Sequence, residues 1–410
     1  MTSPLPQPVD LRAHVPTVVG AALDRRTGSV LVDAGQLAAA RSRFDDTQAE
    51  ALARYLGSSQ SANTVRAYRA DWHSWLAWCA GQQRTALPAD PLDVAVYLAA
   101  AADTRRPADP TAWAFAPATL ERKAAAIAAV HASAGLPAPT RADVVRLTLR
   151  GIRRVRNARP ARKRPVLLHT LADMLSHRPE DGWPGGLPRR RDALLLLVGF
   201  AGALRRTELA ALSLDDVRVD TDARTGEPLL IVELGGTKTD PTGVAGQRVA
   251  LPRGQQPQTC PVCAFADWAE LLEAHRDHGH PGLPSWLADH RQGPDRAIHR
   301  CHGYPGTSLA DGTGRPLFPG ISRHGRISDT AISGRAVGEL VKRYAGRAGL
   351  DPEAFAGHSL RAGFATQAAL GGASDREIMR QGRWSNAGTV HRYIRTANPL
   401  EDNAVTKLGL

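Results

Sequence analysis

The sequence predicts a mainly α (α+β) chain. An N-terminal helical bundle is followed by a mostly helical second domain with a small antiparallel sheet. Three observations carry this. Val65, Tyr68, Trp72, Trp75, Leu76 and Cys79 recur at three- and four-residue steps, the spacing of one helix face. The twelve-residue apolar run from Ala193 to Leu204 stops at Arg205. It is too short for a bilayer span, which needs about 20 residues, and reads as a buried core helix. Pro228 to Gly235 and Gln247 to Leu251 are short apolar runs around a turn at Lys238, the pattern of paired strands.

Taken in order, residues 1–45 show no sustained period and are expected to form an irregular arm. A helical domain covers 46–157. Its first helix ends near Gly81, a second runs near Pro91 to Ala102, and a third covers Ala118 to Ser133 and stops at Gly135. A fourth starts after Thr140 with Val144, Leu147, Ile152 and Val155 as its apolar stripe. A basic linker at 158–166 contains Pro160 and Pro165, which end that helix. The second domain, 167–410, opens with a helix capped by Thr170 and continues through the buried run and the strand pair. Residues 276–315, rich in Gly, Pro, His and Arg, read as a loosely packed insertion. Helices resume at Ser333, Ser359, Ser374 and Ser385.

With 410 residues and 43% hydrophobic content, the chain can build two cores, which excludes global disorder. Its formal charge is +12, which points to a polyanionic partner, nucleic acid above all. The excess is concentrated. Between Arg141 and Arg164 there are ten Arg or Lys residues against one acid, Asp143. Arg146, Arg150, Arg153 and Arg154 on the fourth helix, and Arg162, Lys163 and Arg164 in the linker, are the candidate DNA-contacting residues. The N-terminus has no basic segment followed by an apolar one, so no signal peptide is expected, and four cysteines fit a reducing cytoplasm.

The residues that carry chemistry are dispersed. Arg205 follows the buried helix, so packing fixes it, and Glu208 three residues on can brace a guanidinium. A planar, permanently charged guanidinium donating paired hydrogen bonds suits the oxygens of a pentacoordinate phosphorus. His358 and Arg361 are three apart on a helix starting after Gly357. The imidazole can donate a hydrogen bond or exchange a proton. Ser374 to Glu377 is a capping box. Beyond it Trp384 offers an N–H donor, and Tyr393 offers a phenol that positive surroundings can activate as a nucleophile. Lys238, in Gly235-Gly236-Thr237-Lys238-Thr239-Asp240, sits on a strand turn from which an ammonium can protonate a leaving oxygen. Each segment alone would more often be structural; the ordered set is what points to one reaction.

Leu204-Arg205-Arg206-Thr207-Glu208, Gly357-His358-Ser359-Leu360-Arg361 and Trp384 through Tyr393-Ile394-Arg395 together resemble the tyrosine recombinase (phage integrase) family over about residues 46–410. The resemblance implies Arg205 and Arg361 as phosphate-binding arginines, Glu208 as their acidic support and Lys238 as general acid. It implies His358 as acid/base, Trp384 as phosphate donor where many relatives carry histidine, and Tyr393 as nucleophile. It further implies a C-shaped clamp on double-stranded DNA, a 3′-phosphotyrosine ester, a Holliday junction and a homo-tetramer on two sites. No cofactor is implied, since the ester conserves the bond energy. Two rivals share parts of this pattern: a type IB topoisomerase-like nicking–closing enzyme, and a non-catalytic DNA-binding architectural protein.

Cys260-Pro261-Val262-Cys263 stands apart. With Cys301 and either His299 or His302 it could supply four zinc ligands. The second half lacks a paired spacing, so free thiols beside a helix are the expectation, with no metal.

Overall fold

The computed structural model describes residues 47–48, 62–156, 162–235, 247–291, 298–302, 309, 313–394, 405 and 408. The chain is mainly α-helical with small antiparallel sheets, and it divides into two compact units between Pro160 and Ala161. The N-terminal arm falls outside the described residues.

In the first unit, helices α1 (Ala62–Gly81), α2 (Pro91–Asp103), α3 (Pro117–Ser133) and α4 (Asp143–Arg156) enclose one core. A short hairpin, β1 (Arg105–Arg106) and β2 (Asp109–Trp113), follows α2. Pro91 and Pro117 occupy the first helical position, where a missing N–H costs nothing. Trp75 and Cys79 from α1 are buried against Leu98, Leu120 and Ile127. Asp71, almost fully buried on α1, accepts from Arg122 of α3 at 2.7 Å and lies 3.6 Å from Lys123. Its carboxylate is thereby compensated inside the bundle.

Helix α4 corrects the expected stripe. Val145 is its buried side chain, with Leu149 and Ile152 packed on the core. Val144, Leu147 and Val155 are exposed. The helix carries apolar residues on two faces, and the set spaced i, i+4, i+7 wins because it is the one facing α2 and α3.

The second unit is built around α6 (Gly186–Ala201), preceded by α5 (Leu168–Ser176) and followed by α7 (Arg206–Ala211). Almost every residue of α6 from Leu187 to Val198 is buried. Strands β3 (Val217–Thr221), β4 (Pro228–Leu234) and β5 (Gln247–Pro252) form one antiparallel sheet with Leu230 opposite Leu251 and Val232 opposite both Val217 and Val249. Leu230, Val232, Leu234, Val249 and Leu251 all enter the core, while Glu233 and Arg248 point outward. This is the alternation of a sheet covered on one side. Helix α8 (Pro261–Asp289) lies against α6 and the sheet. Strands β6 (Pro319–Ile321) and β7 (Ile327–Ala331) pair next. They lead to α9 (Gly334–Arg347), α10 (Ser359–Leu370), α11 (Asp375–Gly382) and α12 (Ala387–Tyr393).

Several expectations change here. Helix α5 begins at Leu168, with Thr170 buried inside its first turn rather than capping it. Residues 276–289 are not loose. They continue α8 across a kink at Gly279, which takes φ +65°, and bury Leu283 and Leu287. Pro281 falls in the first turn of the new segment, where proline is tolerated. Asn386, not Ser385, caps α12 by accepting from the Gly388 N–H at 2.7 Å. The capping box at Ser374 and Glu377 forms as expected, with both Ser374 donors 2.7 Å from Glu377 Oε2.

Candidate active site

Helix α6 ends in a tight turn that presents its carbonyls to the site. Gly202 closes the helix and Ala203 takes a left-handed φ of +48° while fully buried. That conformation is costly for alanine and persists only where the surroundings enforce it. Here the enforcement is visible: Ala203 O accepts from the Arg361 guanidinium.

Arg205 begins α7. Glu208 folds back to accept the Arg205 backbone N–H at 2.9 Å and also binds the Arg205 guanidinium. The same carboxylate accepts from Arg383 Nη2 at 2.9 Å. Burial alone would raise the Glu208 pKa, but the bonds from Arg205 and the charge of Arg383 outweigh it and hold the carboxyl below its ordinary value.

Arg361, on α10, is 1% exposed. It donates to Ala203 O and Gly382 O, and its guanidinium lies 4.1 Å from the centre of the Trp384 ring. Burial, with Arg205 and Arg383 nearby, pulls it down to about 9, so it remains protonated at neutral pH. Arg205 and Arg383 thus share one carboxylate, Glu208, and the charge of Arg361 lies within its electrostatic reach. A pocket with that surplus gains when an anion enters.

Trp384 joins the cationic group to the tyrosine. Its ring is nearly buried and lies 5.2 Å from the Tyr393 ring, inclined at 48°. A Cβ on Gly382 would meet Trp384 at 1.9 Å, so only glycine lets the indole fold back over this turn. Helix α12 is fixed by Val390 in the core and by His391 Nε2, 2.8 Å from Asp375 Oδ2. Thr366 Oγ1 on α10 donates to Tyr393 O at 3.2 Å, binding the tyrosine's backbone to the helix of Arg361. Tyr393 is half-buried and within electrostatic reach of Arg361.

A chain with this pocket shares 30% identity over 361 residues with an integrase/recombinase, a XerD homolog, from Selenomonas ruminantium; the match covers 87% of this chain and 88% of that one. This chain belongs to the phage integrase family. The family's own profile matches residues 315–399, which hold α10, α11 and α12. Recombinase Cre of Escherichia phage P1 is 25% identical over 345 residues, covering 82% of this integrase and 84% of Cre. Among solved structures, the XerH site-specific recombinase bound to palindromic difH substrate aligns over 96% of this chain and 95% of that one. Its TM-score is 0.48 and its identity 14%.

His358 is exposed at the N-cap of α10, one position before the helix, while Arg361 is buried beneath it. Lys238 lies outside the described residues, between the ends of β4 and β5. Gln381 anchors the base of that hairpin, its Nε2 donating to Ala201 O at 3.0 Å and Ala250 O at 3.3 Å. Arg383 is the residue that sequence reasoning misses. Its signal is faint: an arginine between Gly382 and Trp384, put in place by a left-handed cap at φ +56°.

The basic residues are a different population. Arg146, Arg150, Arg153 and Arg154 are exposed on α4; Arg146 pairs with Asp143, and Arg153 with Glu121 at 2.7 Å. Arg162, Lys163 and Arg164 are exposed but bound along the second unit. Arg162 donates to Arg392 O at 3.2 Å, Lys163 to Glu353 O, and the Arg164 N–H to Ala354 O at 2.7 Å.

The cysteines are free thiols beside a helix, as expected, and three of them gather. Cys260, Cys263, Cys301 and His299 converge, with ligand atoms all within 4.8 Å of one another. His299 and Cys301 come from the chain beyond α8, which is why the second half has no paired spacing.

Proposed function

We propose that this chain is a site-specific DNA recombinase in which Tyr393 is the nucleophile. The observation that supports it most is the sharing of Glu208 by Arg205 and Arg383 beside the buried Arg361, with Trp384 leading from that charge to Tyr393.

The scissile phosphate takes the place of the missing countercharge. Arg205 and Arg361 donate to its non-bridging oxygens, and Arg383 keeps Glu208 from neutralising Arg205 alone. The Tyr393 hydroxyl gives up its proton, with His358 as acceptor, and its oxygen forms a bond to phosphorus. The bond to the 5′-oxygen breaks, and Lys238 protonates that oxygen. The product is a 3′-phosphotyrosine and a free 5′-hydroxyl. The 5′-hydroxyl of a partner strand then attacks the ester and restores the phenol. Two such exchanges pass through a Holliday junction, within a homo-tetramer on two sites of double-stranded DNA. No cofactor takes part in the chemistry. We place the reaction in the cytoplasm at the nucleoid, where its DNA substrate lies. Among the described residues no helix is long and apolar enough to cross a membrane.

Trapping the covalent complex on nicked DNA and sequencing the attached strand tests this reading. A 3′ adduct at Tyr393 and recombinant product between two sites are expected. Relaxed plasmid with no recombinant would shift the assignment to a nicking–closing enzyme. Binding without any adduct would leave only an architectural role.

A further inference from the structure

We propose that Cys260, Cys263, Cys301 and His299 form a structural zinc site, independent of the strand-transfer chemistry. Zinc held by thiolates and imidazole prefers four ligands in a tetrahedron. At ordinary bond lengths this separates two sulfurs by about 3.8 Å and a sulfur from a nitrogen by about 3.6 Å. His299 Nδ1 lies 3.4 Å from Cys263 Sγ and 3.7 Å from Cys301 Sγ, and the four ligand atoms sit within 4.8 Å of one another. All three cysteines are buried, at 0%, 0% and 2% exposure.

The surroundings of Cys260 favour a negative sulfur. Cys260 is the N-cap of α8, Pro261 is its first helical residue, and Cys263 lies one turn in. Cys260 Sγ accepts from the Cys263 N–H at 3.5 Å and from the Gly254 N–H at 3.3 Å. Helix N-termini favour anions. The turn leaving β5 is drawn in to make the second bond: a Cβ on Gly254 would meet the Cys260 Cα at 2.8 Å and Thr259 O at 2.9 Å. The histidine has the outer partner a metal-bound imidazole ordinarily has, since its Nε2 lies 3.4 Å from Gln255 O. That arrangement leaves the Nδ1 lone pair facing the sulfurs. It also resolves the choice the sequence leaves open, because His302 is turned to Glu227, 3.3 Å away.

Four protein ligands leave no open position, which marks the site as structural rather than catalytic. Binding zinc(II) releases the three thiol protons and leaves the imidazole neutral. The ion would pin three segments together: the turn after β5, the start of α8, and the 299–301 return.

The test uses the full-length reduced protein, expressed with zinc and purified without chelator. Native mass spectrometry and mercurial-triggered zinc release are expected to give one zinc per chain. Cobalt(II) in its place is expected to give thiolate charge-transfer and tetrahedral d–d absorption. Cys260→Ser, Cys263→Ser and Cys301→Ser each lower affinity at least tenfold, His299→Cys retains the ion, and Cys79→Ser and His302→Asn change nothing. A reduced wild-type chain with neither zinc nor a cobalt band overturns the proposal, and that measurement needs no variant to fold. Unchanged zinc affinity in Cys263→Ser, measured by chelator competition, or a chain two mass units light from a disulfide, overturns it as well.

Discussion

Two groups of arginines in this protein behave in opposite ways. Arg146, Arg150, Arg153 and Arg154 of α4 stand in solvent, where Asp143 pairs with Arg146 and Glu121 with Arg153. Those of the second unit, Arg361 and Arg383, are buried or nearly so and spend their hydrogen bonds on backbone carbonyls and Glu208. An exposed arginine contributes an attraction that salt can screen. A buried one contributes a fixed direction of donation, because its surroundings hold the guanidinium in place. The first kind can hold DNA; only the second can favour one bond of it.

Ranked by expected effect, the experiments that separate the two groups begin at the nucleophile. Tyr393→Phe should abolish covalent DNA adducts while DNA affinity stays within about twofold, since one hydroxyl adds little to binding by many phosphate-bound cations. Arg361→Lys comes next. Losing the paired donors should slow strand cleavage by about 10²- to 10³-fold, as removal of a transition-state donor does elsewhere. Single-turnover cleavage reads this directly. An equal loss of affinity would place Arg361 with the surface group.

Lys238→Ala should cleave slowly on ordinary DNA and recover on a substrate with a 5′-bridging sulfur, a better leaving group; no recovery removes the lysine from the proton transfer. Glu208 adds a dependence on acid. Its folded pKa lies below the ordinary value, so its contribution to stability is present above the unfolded pKa and disappears as pH falls through the folded one. Thermal melts of the wild type and Glu208→Gln should therefore differ at pH 7 and converge as the pH falls below about 4. The smallest effects belong to α4. Arg150→Gln or Arg154→Gln should weaken binding modestly. Each should also flatten the salt dependence of log K by about 0.9 per phosphate left without its cation, with the cleavage rate of bound DNA unchanged.

How much of this is legible in the sequence follows from the range of each interaction. Glu208 beside Arg205 and the Ser374–Glu377 box are contacts within one turn, so spacing alone exposes them. The strands around Lys238 are visible because β4 is strongly apolar and β5 sets Val249 and Leu251 on one face. Strand β3 is not, since Val217-Arg218-Val219-Asp220-Thr221 is short and half polar. The phase of α4 is ambiguous because the helix offers two apolar stripes and only tertiary packing selects one. The run past Arg276 looks irregular by composition, yet a single glycine kink lets it bury two leucines. Arg383 and the partners of Cys263 depend on segments far apart in the chain, and no local pattern encodes such meetings.

Gln381 has a consequence for timing. Its carboxamide touches the end of the central helix and the strand that leads out of the Lys238 turn, two residues before Arg383. In the proposed reaction, one neutral side chain would link the strand that leads out of the Lys238 turn to the segment that carries Arg383 and leads to Tyr393. Replacing it with glutamate would set a negative group against two carbonyl oxygens and release that coupling. Attack and departure would then fall out of step with every catalytic side chain still present.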